Sequence, residues 1–248
     1  MTRISTWLKS PSLPEIAVAV LWLALPAPAA AMDMKVVGNQ LIMSGRIDGS
    51  ELAGLRNLAA DRSDLGVRMV ILRDSPGGNL WTSMRIGEEI RDRGWRTAVS
   101  GYCFSGCAIV FLGGVERHFT DDKPYLQTQL AFHAAYNSFE ASGARQDSVN
   151  NSASFTARQW TRKHSGGKLS DAMLDRFEKL EKTEFVHFFD SQRVPRAGVP
   201  SAFVCSHAEQ DPKKKCRPIA DADVYREGIA TSSELIRSND RLSSPKAP

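Results

Sequence analysis

The sequence lacks several features that would assign it to a specialised class of protein. No apolar run suggests several membrane spans, because a spanning helix needs about 20 apolar residues and the run at 16–25 is short and followed by prolines. Aromatic residues make up only 8% of the chain, and they are not interleaved with a basic stripe. Nucleic-acid binding is therefore not expected. No internal repeat is visible, and the 248 residues are enough for one substantial core.

The first 31 residues have the pattern of a secretory signal. Arg3 and Lys9 precede the apolar run, and Pro-Ala-Pro-Ala-Ala-Ala follows it up to Ala31. A basic start, a short apolar centre and small residues before a cleavage point are typical of exported proteins. We expect cleavage near Met32 and a periplasmic or secreted mature protein. A retained membrane anchor is the alternative interpretation.

Cysteine is scarce, with only four residues in the chain. The four are Cys103, Cys107, Cys205 and Cys216. An even number in an oxidising compartment favours disulfides over free thiols. The first pair flanks Ser105 and the second brackets a polar segment, although cross-pairing stays open. A zinc site made from the second pair and His207 is an alternative, but its spacing matches no standard finger pattern.

The apolar patterns predict an α/β fold with a mostly parallel sheet. A hairpin is predicted over 34–47, and helices are predicted over 48–60 and 79–92. Residues 66–73 form a continuous apolar run, which is typical of a buried parallel strand, and 96–100 is the next strand. Strands and helices that alternate at this spacing imply right-handed βαβ crossovers.

The later chain has weaker patterns, from which we predict one strand, three helices, an irregular segment and a tail. They are a strand over 129–133, a helix near Ser152 after a polar loop, an amphipathic helix over 169–190, an irregular segment over 193–216, a short helix over 219–228 ended by Gly228, and a disordered tail over 237–248. The expected domain spans 32–236, with an insertion at about 136–218.

Three segments carry residues suited to acyl-transfer chemistry, and each follows or ends a predicted strand. They are the Ser75-Pro76-Gly77-Gly78 turn, Ser105 at the start of the helix 107–112, and His133. Adjacent glycines allow a close backbone approach and direct N–H groups at an oxyanion. Because strand ends of an α/β sheet share one edge, we expect a nucleophile, a base and N–H donors to meet there.

Each of these residues also has a purely structural explanation. Serine is a favoured helix N-cap, and a glycine pair serves an ordinary turn as well. A single histidine on an apolar strand is usually a core residue with its hydrogen bonds satisfied. The catalytic hypothesis therefore depends on the three segments occurring together and in this order.

The order and spacing of these motifs resemble the Clp-protease/crotonase superfamily. The chain is more similar to the Clp proteolytic subunit and to periplasmic signal-peptide-peptidase-like proteins than to the acyl-CoA enzymes. The resemblance is carried by Ile71 to Gly78, Gly101 to Gly114 and Gln129 to Ala135, with a weaker match at 219–229. It implies a single domain of repeated ββα units with packed helices on a mostly parallel sheet.

The resemblance also implies a role for each matching residue. Ser105 would be the nucleophile and His133 the general base. Gly78 and Gly106 would supply the oxyanion N–H groups, and Gly77 would shape the turn.

The sequence departs from the family where a third catalytic member is expected. The Clp subunit has an aspartate shortly before its last helix, whereas 214–216 hold no carboxylate here. Asp211 and Asp190 are the carboxylates left to orient the histidine. The alternatives are a Ser–His dyad without a carboxylate and a Ser–Lys dyad that uses Lys163 or Lys168.

The resemblance implies an exported serine hydrolase, most simply a peptidase that acts on polypeptides or small acyl substrates through an acyl-enzyme. No cofactor is expected. No ATPase partner is expected either, because an exported chain would have no ATP to use. A homo-oligomer is expected because relatives form rings or tetramers. The alternatives are a catalytically inactive binding or assembly protein on the same fold, and a crotonase-type acyl-CoA reaction.

Overall fold

The structure, a computed structural model, describes residues 32–61, 66–141, 144–194, 199–206 and 216–240. The predicted signal (1–31), His207, Asp211 and the end of the predicted tail (241–248) lie outside these ranges. Within them the chain forms a nine-stranded sheet, a separate two-stranded hairpin and five α-helices.

The strands and helices alternate in the first half of the chain and are less regular in the second. The strands are β1 Asp33–Val37, β2 Gln40–Ile47, β3 Met69–Gly78, β4 Arg96–Phe104, β5 Arg117–Phe119, β6 Gln129–Phe132, β7 Tyr136–Ala141, β8 Ala144–Val149, β9 Glu184–Phe189, β10 Ala202–Ser206 and β11 Cys216–Pro218. The helices are α1 Glu51–Asp61, α2 Leu80–Asp92, α3 Gly106–Leu112, α4 Asn151–His164 and α5 Asp171–Lys179.

The large sheet has the strand order β1-β2-β3-β4-β6-β9-β10-β11, with β5 also paired to β4. Its centre is parallel, through the pairs β2–β3, β3–β4, β4–β5 and β4–β6. The outer pairs, beginning with β1–β2 and β6–β9, are antiparallel. The predicted α/β class is confirmed, and the sheet is mixed, with a parallel centre.

Alternate residues of the central strands face two different cores. Val70 and Leu72 of β3 belong to the main core, which also includes residues of α2 and α3. Met69 and Ile71, which alternate with them, join a smaller cluster that contains Ile236 from the end of the described chain. Because successive side chains of a strand point to opposite faces, helices cover one face of β3 and the C-terminal segment covers the other.

The first half follows the sequence predictions closely. The hairpin turns at Gly38 with a φ of 60°, and α1, β3, α2 and β4 lie where they are expected, although β3 and β4 extend further. The Asn79 side chain caps α2 by accepting a hydrogen bond from the Thr82 N–H at 3.0 Å, which is typical of asparagine at this position.

The predicted amphipathic helix over 169–190 is wrong in its second half. Helix α5 ends at Lys179, Leu180 takes extended backbone angles, and 184–189 form strand β9. The β9 sequence Glu-Phe-Val-His-Phe-Phe is aromatic and β-branched, a composition that suits a strand. Pairing with β6 on one side and β10 on the other fixes it in the sheet.

Four further predictions for the later chain are corrected. The polar loop predicted before α4 is the hairpin β7–β8. Because its sequence is mostly polar, it lacks the alternation of apolar and polar residues by which a strand is predicted. The irregular segment contains β10, and residues 224–228 form turns instead of a helix, with Gly228 at a φ of 65°. Of the predicted tail, Arg237 pairs with Asp121 and Asp240 pairs with Arg73, so 237–240 are anchored.

Two glycines bring α2 and α3 into close contact. A Cβ atom added to Gly113 would lie 2.4 Å from the Cα atom of Gly87, and one added to Gly87 would lie 2.8 Å from the Trp160 ring of α4. Helices α2 and α3 therefore contact each other through backbone atoms, and the Trp160 ring of α4 packs against Gly87 at this contact. Across the described ranges, no helix has the length and apolar character needed to cross a membrane.

We predict that Gly113→Ala destabilises the protein by about 1–3 kcal/mol, the usual cost of overpacking a core. Gly113 has an ordinary φ of −63°, so the cost would come from the contact with Gly87 and not from the backbone conformation. Urea unfolding measures it. Gly54→Ala on α1 is the matched control, because its Cβ would make an ordinary contact with Met34 at 3.5 Å. Equal stability of the two variants would contradict the prediction.

Candidate active site

Ser105 occupies a strained turn between β4 and α3. Its φ is 55° and its ψ is −123°, and among the described residues only Asp74 is another non-glycine residue with a positive φ. Such a conformation costs about 1–3 kcal/mol and is common at active sites. The Ser105 side chain makes no capping hydrogen bond to α3. Ser105 therefore lies at the N-cap position of α3 but does not cap the helix through its side chain.

His133 is brought to Ser105 by the next strand of the sheet. It follows β6 directly, and its Nε2 lies 2.7 Å from the Ser105 Oγ. Burial lowers the pKa of His133 to about 4, and the neighbouring backbone at Ala134 opposes this shift only in part. The imidazole is neutral at neutral pH, as a group that accepts a proton must be.

No carboxylate orients His133 within the described part of the chain. The Nδ1 atom is buried and has no hydrogen-bond partner there. Asp190 follows β9, next to the residue paired with Gln129, so it lies at the opposite end of β6 from His133. It accepts a hydrogen bond from the Tyr225 hydroxyl at 2.7 Å. The Asp190 alternative is wrong, and Asp211, outside the described residues, stays a prediction.

Two aromatic rings flank the histidine instead. The Tyr136 ring stacks nearly parallel to the imidazole, with ring centres 6.0 Å apart, and the Phe185 ring lies at 4.6 Å. The Tyr136 hydroxyl donates to the Leu180 carbonyl at 2.8 Å, which fixes its ring in turn. Sequence reasoning missed both residues, because Tyr136 fell in a predicted loop and Phe185 in a predicted helix.

The Ser75–Gly78 segment, predicted as a turn, is the end of strand β3 and lies directly against the Ser105 turn. A Cβ added to Gly77 would lie 2.6 Å from the Gly106 nitrogen and 2.9 Å from the Ser105 Cβ. A Cβ added to Gly106 would lie 3.2 Å from the Gly78 nitrogen. Gly77 and Gly78 have φ values of 82° and 149°, which favour glycine. The structure thus brings the three predicted glycines next to the Ser105 turn.

Both predicted cysteine pairs are disulfide-bonded. Cys103 is joined to Cys107 with a Cα–Cα distance of 5.2 Å, and Cys205 is joined to Cys216 across β10 and β11. The described chain has no free cysteine and no cluster of His, Cys, Asp and Glu that would suit a metal ion. The zinc alternative is wrong for the second pair, because its sulfurs are bonded to each other.

Ser105 and His133 open onto a cleft of about 720 Å³. One wall comes from the start of α2, where Trp81 is 54% exposed. Lys182 lines the cleft, whereas Lys163 and Lys168 do not. The Ser–Lys alternative with either of those two lysines is therefore not supported, and Lys182 is the lysine that sequence reasoning missed.

A smaller pocket adjoins the cleft beside His133. It is lined mainly by apolar residues of α3, β6, α4 and α5. These include Ile109, Phe132, Ala134, Ala157, Leu174 and Phe177. Arg158 and Glu178, which form an ion pair at 2.9 Å, also line it. The site therefore joins a hydroxyl–imidazole pair, two backbone nitrogens and an apolar pocket.

The sequence matches no protein-family model, and no curated protein is significantly similar to it. Among solved structures it is similar to a serine-to-alanine variant of the 1510-N membrane-bound stomatin-specific protease. The TM-score is 0.43 and the identity 12%, over 56% of this chain and 67% of the protease chain.

The chain is also similar to two proteins described as enoyl-CoA hydratases. The one from Streptomyces coelicolor A3(2) has a TM-score of 0.31 and 13% identity, over 47% of this chain and 53% of its own. The one from Rhodopseudomonas palustris CGA009 has a TM-score of 0.31 and 15% identity, over 43% and 50% of the two chains. This chain thus spans about half the length of these two structures.

At these TM-scores and identities the structural similarities assign no activity to this chain. The strand order and the Ser105–His133 geometry are observed in this structure and do not depend on these similarities.

We predict that the His133 imidazole titrates with a midpoint near pH 4 in the folded protein. Burial disfavours the charged ring, so the unfolded chain binds this proton first and stability falls as the pH drops from about 6.5 towards 4. Titration of the ring protons by NMR measures the midpoint, and His133→Gln assigns the resonance. A midpoint near 6.5 would contradict the burial of the ring.

Proposed function

We propose that the protein is a serine hydrolase that cleaves polypeptide or small acyl substrates through an acyl-enzyme on Ser105. The observation that carries the proposal is the 2.7 Å contact between the His133 Nε2 and the Ser105 Oγ, at a strained turn with no capping bond. A serine whose side chain caps its helix would not need this conformation. A nucleophile that must reach both a base and N–H donors does.

The proposed mechanism uses four groups. The Ser105 Oγ attacks the substrate carbonyl while its proton moves to the His133 Nε2. The oxyanion that forms accepts hydrogen bonds from the N–H groups of Gly78 and Gly106. His133 then gives the proton to the leaving amine or alcohol, the bond to the leaving group breaks, and water releases the acyl group by the same steps in reverse.

The setting of His133 predicts a weak catalyst. A pKa of about 4 makes the imidazole a poor base, and no described carboxylate stabilises its charged form. In serine proteases, losing the function of the orienting aspartate lowers kcat by about 10⁴. The Tyr136 and Phe185 rings hold the imidazole in place but add little negative charge. We therefore expect slow turnover on a chemically undemanding substrate.

Export and self-association are also proposals. The signal-like pattern of 1–31 and two disulfides support a periplasmic or secreted protein, because disulfides persist in oxidising compartments. The apolar pocket and open cleft support a peptide or acyl substrate. Homo-oligomerisation rests on the family resemblance alone.

We predict that a fluorophosphonate probe labels the purified, oxidised protein at Ser105. Labelling should disappear in Ser105→Ala and fall about 10²-fold or more in His133→Ala, since a positioned base typically contributes 10²–10⁴-fold. In-gel fluorescence and peptide mass spectrometry measure the rate and the site.

Ser152→Ala is the control, because Ser152 is exposed on α4 and lies outside the cleft. It should label as the wild type does. Absence of labelling in a folded, oxidised wild type would contradict the hydrolase proposal. The same result would favour a binding or assembly protein that retains the fold without activity.

We predict that Ala157→Phe narrows the range of accepted substrates. Ala157 lines both the cleft and the apolar pocket, so a phenyl ring would fill the pocket. Peptide esters with a leucine side chain before the scissile bond should lose reactivity relative to glycine esters. Thr156→Leu is the matched control on the same helix, outside both cavities. An equal loss for both esters would show that the pocket does not hold this side chain.

A further inference from the structure

The Cys103–Cys107 disulfide encloses Ser105 within its loop. Cys103 is the second-last residue of β4, Cys107 is the second residue of α3, and Ser105 lies midway between them. The bond therefore closes the turn that carries the serine, independently of any hydrogen bond. Both cysteines are fully buried in the main core.

Few hydrogen bonds hold the Ser105 turn in its strained conformation. The Ser105 N–H donates to the Ala131 carbonyl at 2.8 Å, and the Ser105 carbonyl accepts from the Ile109 N–H at a long 3.3 Å. The side chain contributes no capping bond. A positive φ in a non-glycine residue persists only where the surroundings impose it, and the disulfide supplies a covalent restraint at this turn.

The ordinary conformation of a serine that begins a helix differs from the one seen here. Serine at this position of a helix prefers ordinary backbone angles, in which its Oγ accepts a hydrogen bond from an N–H of the first turn. In that conformation the Oγ is engaged by α3 and leaves the His133 Nε2. An Oγ atom that caps α3 in this way would not at the same time lie 2.7 Å from the His133 Nε2.

We infer that the Cys103–Cys107 disulfide is a positioning element that keeps Ser105 in its reactive conformation, so that the site is active only while this bond is oxidised. The inference rests on the proposed function. Reduction by a dithiol breaks the S–S bond. The dithiol gives two electrons and two protons, two thiols form on the protein, and the dithiol becomes a disulfide.

The second disulfide of the chain provides an internal control. Cys205–Cys216 joins paired residues of β10 and β11 and lines neither the cleft nor the adjoining pocket. It closes a longer loop, with a sequence separation of 11 against 4. Since longer loops restrict the unfolded chain more, it should stabilise the fold at least as much. If both disulfides only stabilised the fold, removal of either one would change the labelling rate to the same extent.

The experiment compares fluorophosphonate labelling and melting temperature in three oxidised proteins. These are the wild type, Cys103→Ala/Cys107→Ala and Cys205→Ala/Cys216→Ala. We expect the first double variant to label about ten- to hundred-fold more slowly, the usual effect of a small misplacement of a reacting group. The loss should lie in the maximal labelling rate and not in probe affinity. The second double variant should label like the wild type, even if it melts at a lower temperature.

Reduction of the wild type provides a second route if a variant does not fold. Because both cysteines are buried, the wild type is unfolded in urea with dithiothreitol and refolded under reducing conditions. Labelling should then slow to the same extent, mass spectrometry of trapped thiols should show that Cys103 and Cys107 are reduced, and reoxidation should restore the rate. Labelling that continues unchanged in a folded protein without this bond would overturn the inference. Oxidised wild type that does not label would instead overturn the proposed function, and this inference with it.

Discussion

The site depends on a contact between two segments that side chains would prevent. Residues 75–78 are the end of β3, and the Ser105 turn follows β4. The two backbones approach so closely that a methyl group on Gly77 would lie 2.3 Å from the Phe104 carbonyl oxygen and 2.6 Å from the Gly106 nitrogen. Parallel pairing of β3 with β4 brings the two segments side by side, and the absence of a Cβ atom on Gly77 allows this close contact. Glycine is required here for steric reasons as well as for its φ angles.

His133 reflects a compromise between geometry and basicity. A carboxylate partner would raise the pKa of the imidazole and stabilise its charged form, whereas the rings of Tyr136 and Phe185 position it without that stabilisation. Burial keeps the ring neutral and available as an acceptor. The same burial makes the charged intermediate costly. The aromatic setting thus favours a correctly placed base over a strong one.

The sequence predicted the first half of the fold and the members of the site better than the second half. Residues 66–73 and the helix predicted over 107–112 have local patterns strong enough to predict their structure correctly. The pattern of residues 184–189 does not distinguish a helix from a strand, because a run of aromatic residues fits a buried helix face as well as a central strand. Pairing with β6 is what makes this segment a strand. Tyr136 and Lys182 carry no local motif, since their place beside the cleft arises from contacts distant in sequence.

The C-terminal segment joins parts of the chain that are synthesised far apart. The Asn239 N–H donates to the Gln40 side chain across 199 residues, and Ile236 completes the small cluster on the second face of the central strands. Ile42 and Ile71 are packed against Ile236 on that face. Contacts of such long range form late and slow the overall folding reaction. A partly folded chain in which this segment has not yet docked would thus expose an apolar sheet face, and such surfaces make folding intermediates prone to aggregation.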